Sequence, residues 1–186
     1  LNVLPWGHPA LSEMNSKVSS KDGMKLGVPI NVAVRERLSW FRDVIPHSVG
    51  VHLLSDGTWK DYDVDMVLWC NASKVRLGFC YAGNGFFYEL SLEDGSPLVD
   101  IFFLELLAIL SALDFVSHLQ SPPEQVLIYS DNLDSVNTFN PIAVKNASHN
   151  APLLTACGII LCSGVDPQVR HIPRKENVRA DSLSWL

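Results

Sequence analysis

Three features are scarce in this chain of 186 residues: positive charge, cysteine motifs and uninterrupted apolar runs. The formal net charge of −6 disfavours a protein that coats nucleic acid nonspecifically, because such binding depends on neutralising phosphates with Lys and Arg. The four cysteines form neither a C-x-x-C pair nor a zinc-type spacing with His. We therefore expect reduced thiols, mostly buried.

The most apolar segment, residues 98–116, is interrupted by Asp100, Glu105 and Asp114. Burying such charges in lipid is costly, so the pattern predicts a core helix and no membrane partner. No basic segment followed by an apolar one opens the chain, which predicts an intracellular protein, cytoplasmic or nuclear. The start at Leu1 in place of Met indicates a piece of a longer protein.

The first part of the chain, residues 1–60, differs in composition from the rest because it is rich in Pro, Gly and Ser. One helix is predicted near residues 31–44, because Val34, Leu38 and Phe41 recur there at helical spacing on one face. Pro46 is expected to end this helix. We interpret residues 1–60 as a connection or linker segment with one helix. The 47% apolar content predicts one core, which we assign to a domain over residues 61–186.

The second part predicts a mixed α/β fold of alternating strands and helices. The expected strands cover residues 66–70, 76–81, 85–90, 126–130 and 168–172, with a turn at 82–85, and the expected helices cover 101–115, 134–139 and 152–161 and begin again near 177. The first three strands form an antiparallel meander. A strand that follows a helical crossover is expected to run parallel to an earlier one.

Three carboxylates have the arrangement of a divalent-cation site. Asp131 follows a buried strand, Glu105 lies inside an apolar helix, and Asp181 shares a helical face with Asn177. Each also has an ordinary alternative: a turn or cap for Asp131, a solvent-facing Glu105, and an amphipathic helix around Asp181. Together they offer the oxygen ligands that Mg²⁺ requires, and two such ions can flank a scissile phosphate.

Basic residues gather beside the last of these acids. Within ten residues the chain has Arg170, His171, Arg174, Lys175 and Arg179. Such a patch predicts contact with phosphate, and the alternative is a solvated charged loop.

Four linked motifs carry a family resemblance. They are 71–73 (Asn-Ala-Ser) with 77–79 (Leu-Gly-Phe), 103–108 (Phe-Leu-Glu-Leu-Leu-Ala), 128–132 (Ile-Tyr-Ser-Asp-Asn), and 169–173 (Val-Arg-His-Ile-Pro) with 177–184. In this order they resemble the ribonuclease H domain of retroelement reverse transcriptases, most closely those of retrotransposons, fungal-type elements included. The likeness covers about residues 60–186, and the segment around Trp40 resembles the connection that precedes such a domain.

The resemblance implies a five-stranded mixed sheet of order 3-2-1-4-5 flanked by helices. It also implies four acids that hold two Mg²⁺ or Mn²⁺ ions and cleave the RNA strand of an RNA/DNA hybrid. Glu105, Asp131 and Asp181 match the second, third and fourth acids and are the implied metal ligands, while Asn71 stands in the first catalytic position. The implied partners are the hybrid and the polymerase part of the same polyprotein, and the residues expected to contact nucleic acid are Ser73, Asn132, Arg170, His171, Arg174, Lys175 and Asn177.

Asn71 is the departure that affects the chemistry. An amide offers one neutral oxygen where a bridging anion is required, so we predict weakened metal binding and little or no cleavage. Asp56, in a Ser-Asp-Gly-Thr segment similar to the start of cellular ribonucleases H, would restore four acids. It would also put four strands before the Glu105 helix. Asp65 lies about 20 Å from residue 71 at strand rise, so we expect neither to substitute.

Three hypotheses remain open from the sequence. The chain is a ribonuclease H domain that is inactive or impaired, a noncatalytic module that binds nucleic acid or docks the polymerase part, or an enzyme in which Asn71 was introduced to trap uncut substrate.

Overall fold

The computed structural model describes residues 10–11, 30–49, 59–91, 100–142 and 149–185. Three short 3₁₀ turns, at Ile45–His47, Asp61–Asp63 and Arg174–Glu176, accompany the main elements. In chain order those elements are α1 (Val32–Val44), β1 (Met66–Ala72), β2 (Arg76–Tyr81), β3 (Asn84–Glu89), α2 (Ile101–Ser117), β4 (Gln125–Ser130), α3 (Leu133–Phe139), α4 (Asn150–Ser163), β5 (Asp166–His171) and α5 (Val178–Trp185).

The five strands form one mixed sheet of order β3-β2-β1-β4-β5. β1 pairs antiparallel with β2, and β2 with β3, whereas β1 pairs parallel with β4, and β4 with β5. Parallel neighbours need a crossover, and α2 supplies the one between β1 and β4. The predicted fold class, sheet order and strand directions are therefore confirmed.

The β2–β3 hairpin turns through Ala82 and Gly83, which both have positive φ, 48° and 84°. Two consecutive residues with positive φ form the short hairpin loop whose twist matches that of the flanking strands. Tyr81 therefore pairs with Asn84, and β3 begins one residue earlier than the sequence predicted.

One face of the sheet carries the main core. α2 contacts β1, β2 and α4, which explains why apolar residues cover nearly its whole circumference. Asp100 caps its first turn by accepting a hydrogen bond from the Phe103 amide at 2.8 Å. Three of the cysteines, Cys70, Cys80 and Cys157, are buried thiols, and Cys162 is an exposed one.

The opposite face of β1, β2 and β3 is covered by α5. Asn71 and Gly78 are cross-strand partners on that face. A Cβ atom built on Gly78 would lie 2.9 Å from Leu183 Cβ and 3.2 Å from the Ala180 carbonyl oxygen. The glycine is therefore what lets the backbone of α5 approach β2 closely, and this approach places α5 beside the end of β1.

The helix predicted near residues 31–44 is α1. Asn31 caps it by accepting from the Val34 amide at 3.0 Å, and Pro46 follows it in a 3₁₀ turn. Trp40 of α1 lies against Gly158 of α4, 3.8 Å from the position of an added Cβ. None of the helices in the described ranges is long and apolar enough to cross a membrane.

We predict that Gly78→Ala lowers the free energy of unfolding by about 1 to 3 kcal/mol, because the added methyl group overpacks the contact with α5. Gly158→Ala is the matched control: it lies inside α4, the added methyl group meets only ordinary contacts, and Ala is the better helix former. Urea denaturation of both variants tests this. Equal stability of the two variants would contradict the close α5 contact.

Candidate active site

The four residues of the predicted catalytic set line one cleft, of about 290 Å³, at the ends of β1 and β4. Asn71 lies near the end of β1, Asp131 directly follows β4, Glu105 comes from α2, and Asp181 from α5. The further lining residues are Ala72, Ile101, Asn132, Arg174 and Trp185. Residues that are distant in sequence are therefore brought to the edge of the sheet where α/β folds place ligand sites.

Asp56 and Asp65 are the two acids that could have stood in for residue 71. Asp56 lies outside the described residues. Asp65 precedes β1 at the opposite end of that strand, where its carboxylate accepts hydrogen bonds from the backbone amides of Glu124 and Gln125 at 3.1 and 2.9 Å. Asp65 therefore holds the start of β4 and does not reach the cleft.

Glu105 faces inward and is only 4% exposed. Its Oε2 atom has no hydrogen-bond partner among the described residues. Burial, and after it the neighbouring Asp131 carboxylate, raises the pKa of Glu105 to about 8, although a hydrogen bond with the Ala72 backbone acts to lower it. The group therefore holds a proton at neutral pH in the metal-free protein.

Asp131 does not cap the helix that follows it. Asn132 is the cap of α3, and its Oδ1 accepts from the Ser135 amide at 2.9 Å and from the Ser135 hydroxyl at 3.0 Å. Asp131 is left at the cleft, half-buried, and burial raises its pKa as well. Asn132, predicted to contact nucleic acid, lines the cleft with its side chain committed to this cap.

Asp181 is surrounded by hydrogen-bond donors. Its Oδ1 accepts from Asn71 Nδ2 at 3.0 Å, from Arg174 Nη2 at 3.0 Å and from Trp185 Nε1 at 3.3 Å. We call Asn71, Arg174, Asp181 and Trp185 the Asp181 cluster. Asn71 Nδ2 also donates to the Ser184 hydroxyl at 2.9 Å, so the amide joins β1 to two residues of α5.

Ser73 provides a further connection between the sheet and α5. Its hydroxyl donates to the Ser184 carbonyl at 2.5 Å and accepts from the amides of Val75 and Arg76, each at 3.1 Å. Ser73 is 1% exposed. The predicted contact between Ser73 and nucleic acid would require this arrangement to open.

Asn177 lies just before α5, which begins at Val178. Its Nδ2 donates to the Cys70 carbonyl at 2.9 Å, and its own carbonyl accepts from the Asp181 amide at 2.9 Å. Asn177 is buried and its Oδ1 has no partner among the described residues. It therefore fixes the start of α5 against β1 and does not face the cleft directly.

The basic residues are divided between different surfaces. Arg174 lines the cleft, while His171 and Lys175 are exposed nearby in the chain. Arg170 is half-buried, with its guanidinium 6.0 Å from the centroid of the Trp59 ring. Arg179 lines a separate hollow with Trp69 and Tyr81. The five basic residues therefore do not form one patch at the cleft, and of the five only Arg174 lines it.

The side chains present do not fit a two-ion site. Asn71 directs its N–H groups, not an oxygen, toward the cluster, and Asp181 Oδ1 already has three donors. Within the residues that the structure describes, no three His, Cys, Asp or Glu side chains have the spacing of a metal site. Glu105 Oε2 remains a buried oxygen without a partner, and a proton satisfies it as well as a cation would.

Sequence reasoning did not single out Ser184 or Trp185 as site residues. Ser184 was part of the fourth motif, and its contacts with Asn71 and Ser73 follow from its place one helical turn beyond Ala180 and Asp181. Trp185 lies one residue beyond that motif. Its spacing of four residues from Asp181, which puts both on one helical face, was the available signal.

No protein-family model and no curated protein matches the sequence. The structure is similar to that of LC11-RNase H1 in complex with an RNA/DNA hybrid, with a TM-score of 0.54 and 15% identity over 63% of this chain and 92% of that one. It is also similar to RNase H1 from the halophilic archaeon Halobacterium salinarum NRC-1, with a TM-score of 0.50 and 13% identity over the same shares. The chain has the ribonuclease H fold. At these identities the likeness concerns the fold alone.

We predict that the stability of the metal-free protein falls as pH rises from about 4.5 to about 8. The folded state holds the Glu105 proton more tightly than the unfolded state, in which the carboxyl has its ordinary pKa of 4.5. One such group contributes a slope of up to about 1.4 kcal/mol per pH unit. The stability that the bound proton provides is complete below the lower pKa and lost above the higher one.

Glu105→Gln should reduce this slope, since the amide does not titrate and the remaining part comes from Asp131, whose pKa burial also raises. Denaturant titrations of both proteins in EDTA, between about pH 5 and pH 8, measure it. Glu176→Gln, at an exposed position, is the control and should keep the slope of the parent chain. Identical slopes for the parent chain and Glu105→Gln would show that Glu105 is not the responsible group.

Proposed function

We propose that this chain is the ribonuclease H-like domain of a retroelement reverse transcriptase of the fungal retrotransposon type, which binds RNA/DNA hybrid and has lost most or all of its cleavage activity. The observation that carries the proposal is the contact of Asn71. In the position of the first catalytic acid, this residue donates an N–H to Asp181 at 3.0 Å. The site thus has the layout of a nuclease with a hydrogen bond where that chemistry requires an anion.

Hybrid binding is supported by the fold and by the charge near the cleft. LC11-RNase H1, which shares the fold, is in complex with an RNA/DNA hybrid. In this chain Arg174, from the segment after β5, lines the cleft, and Lys175, the next residue, is exposed. Lys and Arg neutralise phosphates and fix the position of a nucleic acid without reading its sequence.

Impaired hydrolysis follows from the ligands that the cleft offers. In two-metal hydrolysis, one ion activates the attacking water and the other stabilises the leaving oxygen. The residues here would have to give up the Asn71–Asp181 and Arg174–Asp181 hydrogen bonds to hold such ions. Glu105 would have to lose its proton as well. Binding of Mg²⁺ or Mn²⁺ is therefore weak in this proposal.

The surrounding organisation belongs to the same proposal. Residues 1–60 are the end of a connection segment, residues 61–186 are the nuclease-like domain, and the polymerase part of one polyprotein is the partner in an intracellular complex. The contact of Trp40 in α1 with α4 supports a segment that docks on the domain.

A second function is a noncatalytic scaffold that docks the polymerase part without gripping hybrid. The observation in its favour is that Ser73, Asn132 and Asn177, all expected at the nucleic acid, are bonded within the protein. Hybrid binding distinguishes the two functions, because only the first requires it.

We predict that the parent chain shows no cleavage of an RNA/DNA hybrid in Mg²⁺ or Mn²⁺, or cleavage at least about 100-fold slower than Asn71→Asp, since the acid restores the missing ligand. Adding Asp131→Asn to Asn71→Asp should abolish the restored activity. A gel assay with end-labelled hybrid measures all three proteins. Robust cutting by the parent chain would refute the proposed loss of activity, and no cutting by Asn71→Asp would favour the scaffold.

We also predict that Lys175→Glu weakens hybrid binding by roughly 10-fold or more at low salt, because a phosphate contact is replaced by repulsion. Arg35→Glu in α1 makes the same change of charge on a distant exposed surface and is the matched control. Fluorescence anisotropy with labelled hybrid, repeated at increasing salt, measures both. Equal binding by the two variants would place the hybrid on another surface.

A further inference from the structure

We propose that a second pocket, separate from the cleft, binds one unpaired nucleotide by stacking its base on Trp69. This pocket has a volume of about 400 Å³, which is within the size range of small-ligand sites. We call it the Trp69 pocket. The inference goes beyond the proposed function, because it requires neither RNA/DNA hybrid nor cleavage.

The Trp69 pocket and the cleft use the same segment of the chain but different residues of it. Arg174 and Asp181 line the cleft, whereas residues 176–179 line the Trp69 pocket. The pocket is completed by residues of β1, of β2 and of the hairpin loop that follows β2. No described residue lines both sites. A ligand can therefore occupy the pocket without contact with the acids of the cleft.

The indole of Trp69 gives the pocket an aromatic wall. It stacks with the Tyr129 ring, with the two ring centroids 5.8 Å apart and an angle of 26° between the ring planes. Tyr129 is the neighbour of Trp69 on β4, whereas Cys80, its cross-strand partner on β2, lines the pocket. The pocket therefore lies on the side of the indole away from Tyr129. Aromatic side chains of this kind bind the bases of single strands, since every base has a π face.

Asn177, another lining residue, has an unused hydrogen-bond acceptor. Its Nδ2 donates to the Cys70 carbonyl at 2.9 Å, which fixes the amide, and its Oδ1 is buried without a partner among the described residues. Buried polar atoms are normally paired, so this oxygen requires an explanation. An N–H group of a bound base would supply the missing donor. Adenine, cytosine and guanine carry an amino group that thymine lacks, and we expect them to bind more tightly.

The charged residues of the pocket indicate a single phosphate contact. Arg179 and Glu176 both line the pocket and are exposed. The guanidinium hydrogen-bonds to a phosphate, while the neighbouring carboxylate offsets its charge, so stacking contributes more to the affinity than phosphate neutralisation does. A base inside a duplex is already stacked and paired. The ligand is therefore an unpaired nucleotide, either free or within a single strand.

The parent chain provides the test that needs no variant. Fluorescence anisotropy compares a labelled oligodeoxycytidylate with an abasic oligomer of the same length, which we expect to bind roughly 10-fold less tightly. Oligodeoxythymidylate should bind with an affinity between the two. Raising NaCl from about 50 to about 200 mM should weaken binding of the cytidylate by less than about 3-fold, as for one phosphate contact. Equal binding of the cytidylate and the abasic oligomer would overturn the proposal.

Unlabelled CMP distinguishes the two sources of the nucleotide. Displacement of the labelled oligodeoxycytidylate by CMP would support a site for a free nucleotide. Binding of the oligomer that excess CMP does not displace would support a site for a nucleotide within a strand.

Trp69→Leu tests the location of the site. Leu keeps the position apolar but has no aromatic face, and Trp69→Phe restores one. We expect Trp69→Leu to bind oligodeoxycytidylate as weakly as the abasic oligomer, and Trp69→Phe to recover most of the loss. A Trp69→Leu variant that binds the cytidylate like the parent chain would overturn the proposal.

Arg179→Gln covers the case in which substitution of Trp69 disturbs the sheet. Arg179 is exposed, so its replacement leaves the core intact, and Arg35→Gln at an exposed position of α1 is the matched control. We expect Arg179→Gln to weaken oligodeoxycytidylate binding by roughly 3-fold or more and the control to bind like the parent chain. Equal binding by these two variants would overturn the proposal. Hybrid affinity, measured alongside, tests the proposed function separately.

Discussion

The side-chain amide of Asn71 is the contact on which the cleft depends. Its two N–H groups bond to Asp181 and Ser184, residues more than a hundred positions away in the sequence. One neutral group on β1 thereby contacts two residues of α5 and helps to orient the Asp181 carboxylate. The absence of Cβ at Gly78, the cross-strand partner of Asn71, makes this geometry possible. Sheet register and helix docking thus meet at a single pair of residues.

The layout of the cleft depends on the packing of the elements that deliver its residues. The strands that deliver residues 71 and 131 are among the most buried parts of the chain, so packing fixes their ends regardless of which side chains follow. α2 carries Glu105 into the core because most of the remaining residues of that helix are apolar. A carboxylate at position 71 would therefore leave these elements in place, but it would not donate to Asp181 as the amide does.

Much of the fold was predictable, because periodicity and turn chemistry are local. Most strand and helix boundaries agreed within about two residues, and the sheet order followed from the family motifs. The direction of individual side chains was not predictable. Nothing local distinguishes Asp131 from Asn132 as the cap of α3, and the inward position of Ser73 depends on the last turn of α5. The bond from Arg174 to Asp181 likewise forms only once the 3₁₀ turn at Arg174–Glu176 has placed that side chain.

The buried carboxyl of Glu105 alters what the cleft recognises. A carboxylate accepts hydrogen bonds and repels anions, but a carboxylic acid also has an O–H that it can donate. At neutral pH the Glu105 side chain is therefore polar and uncharged, like an amide. An oxygen acceptor of a ligand would meet a donor at Glu105 and not an opposing charge. One residue can thus act as an anionic ligand when it is ionised and as a neutral hydrogen-bond donor when it is protonated.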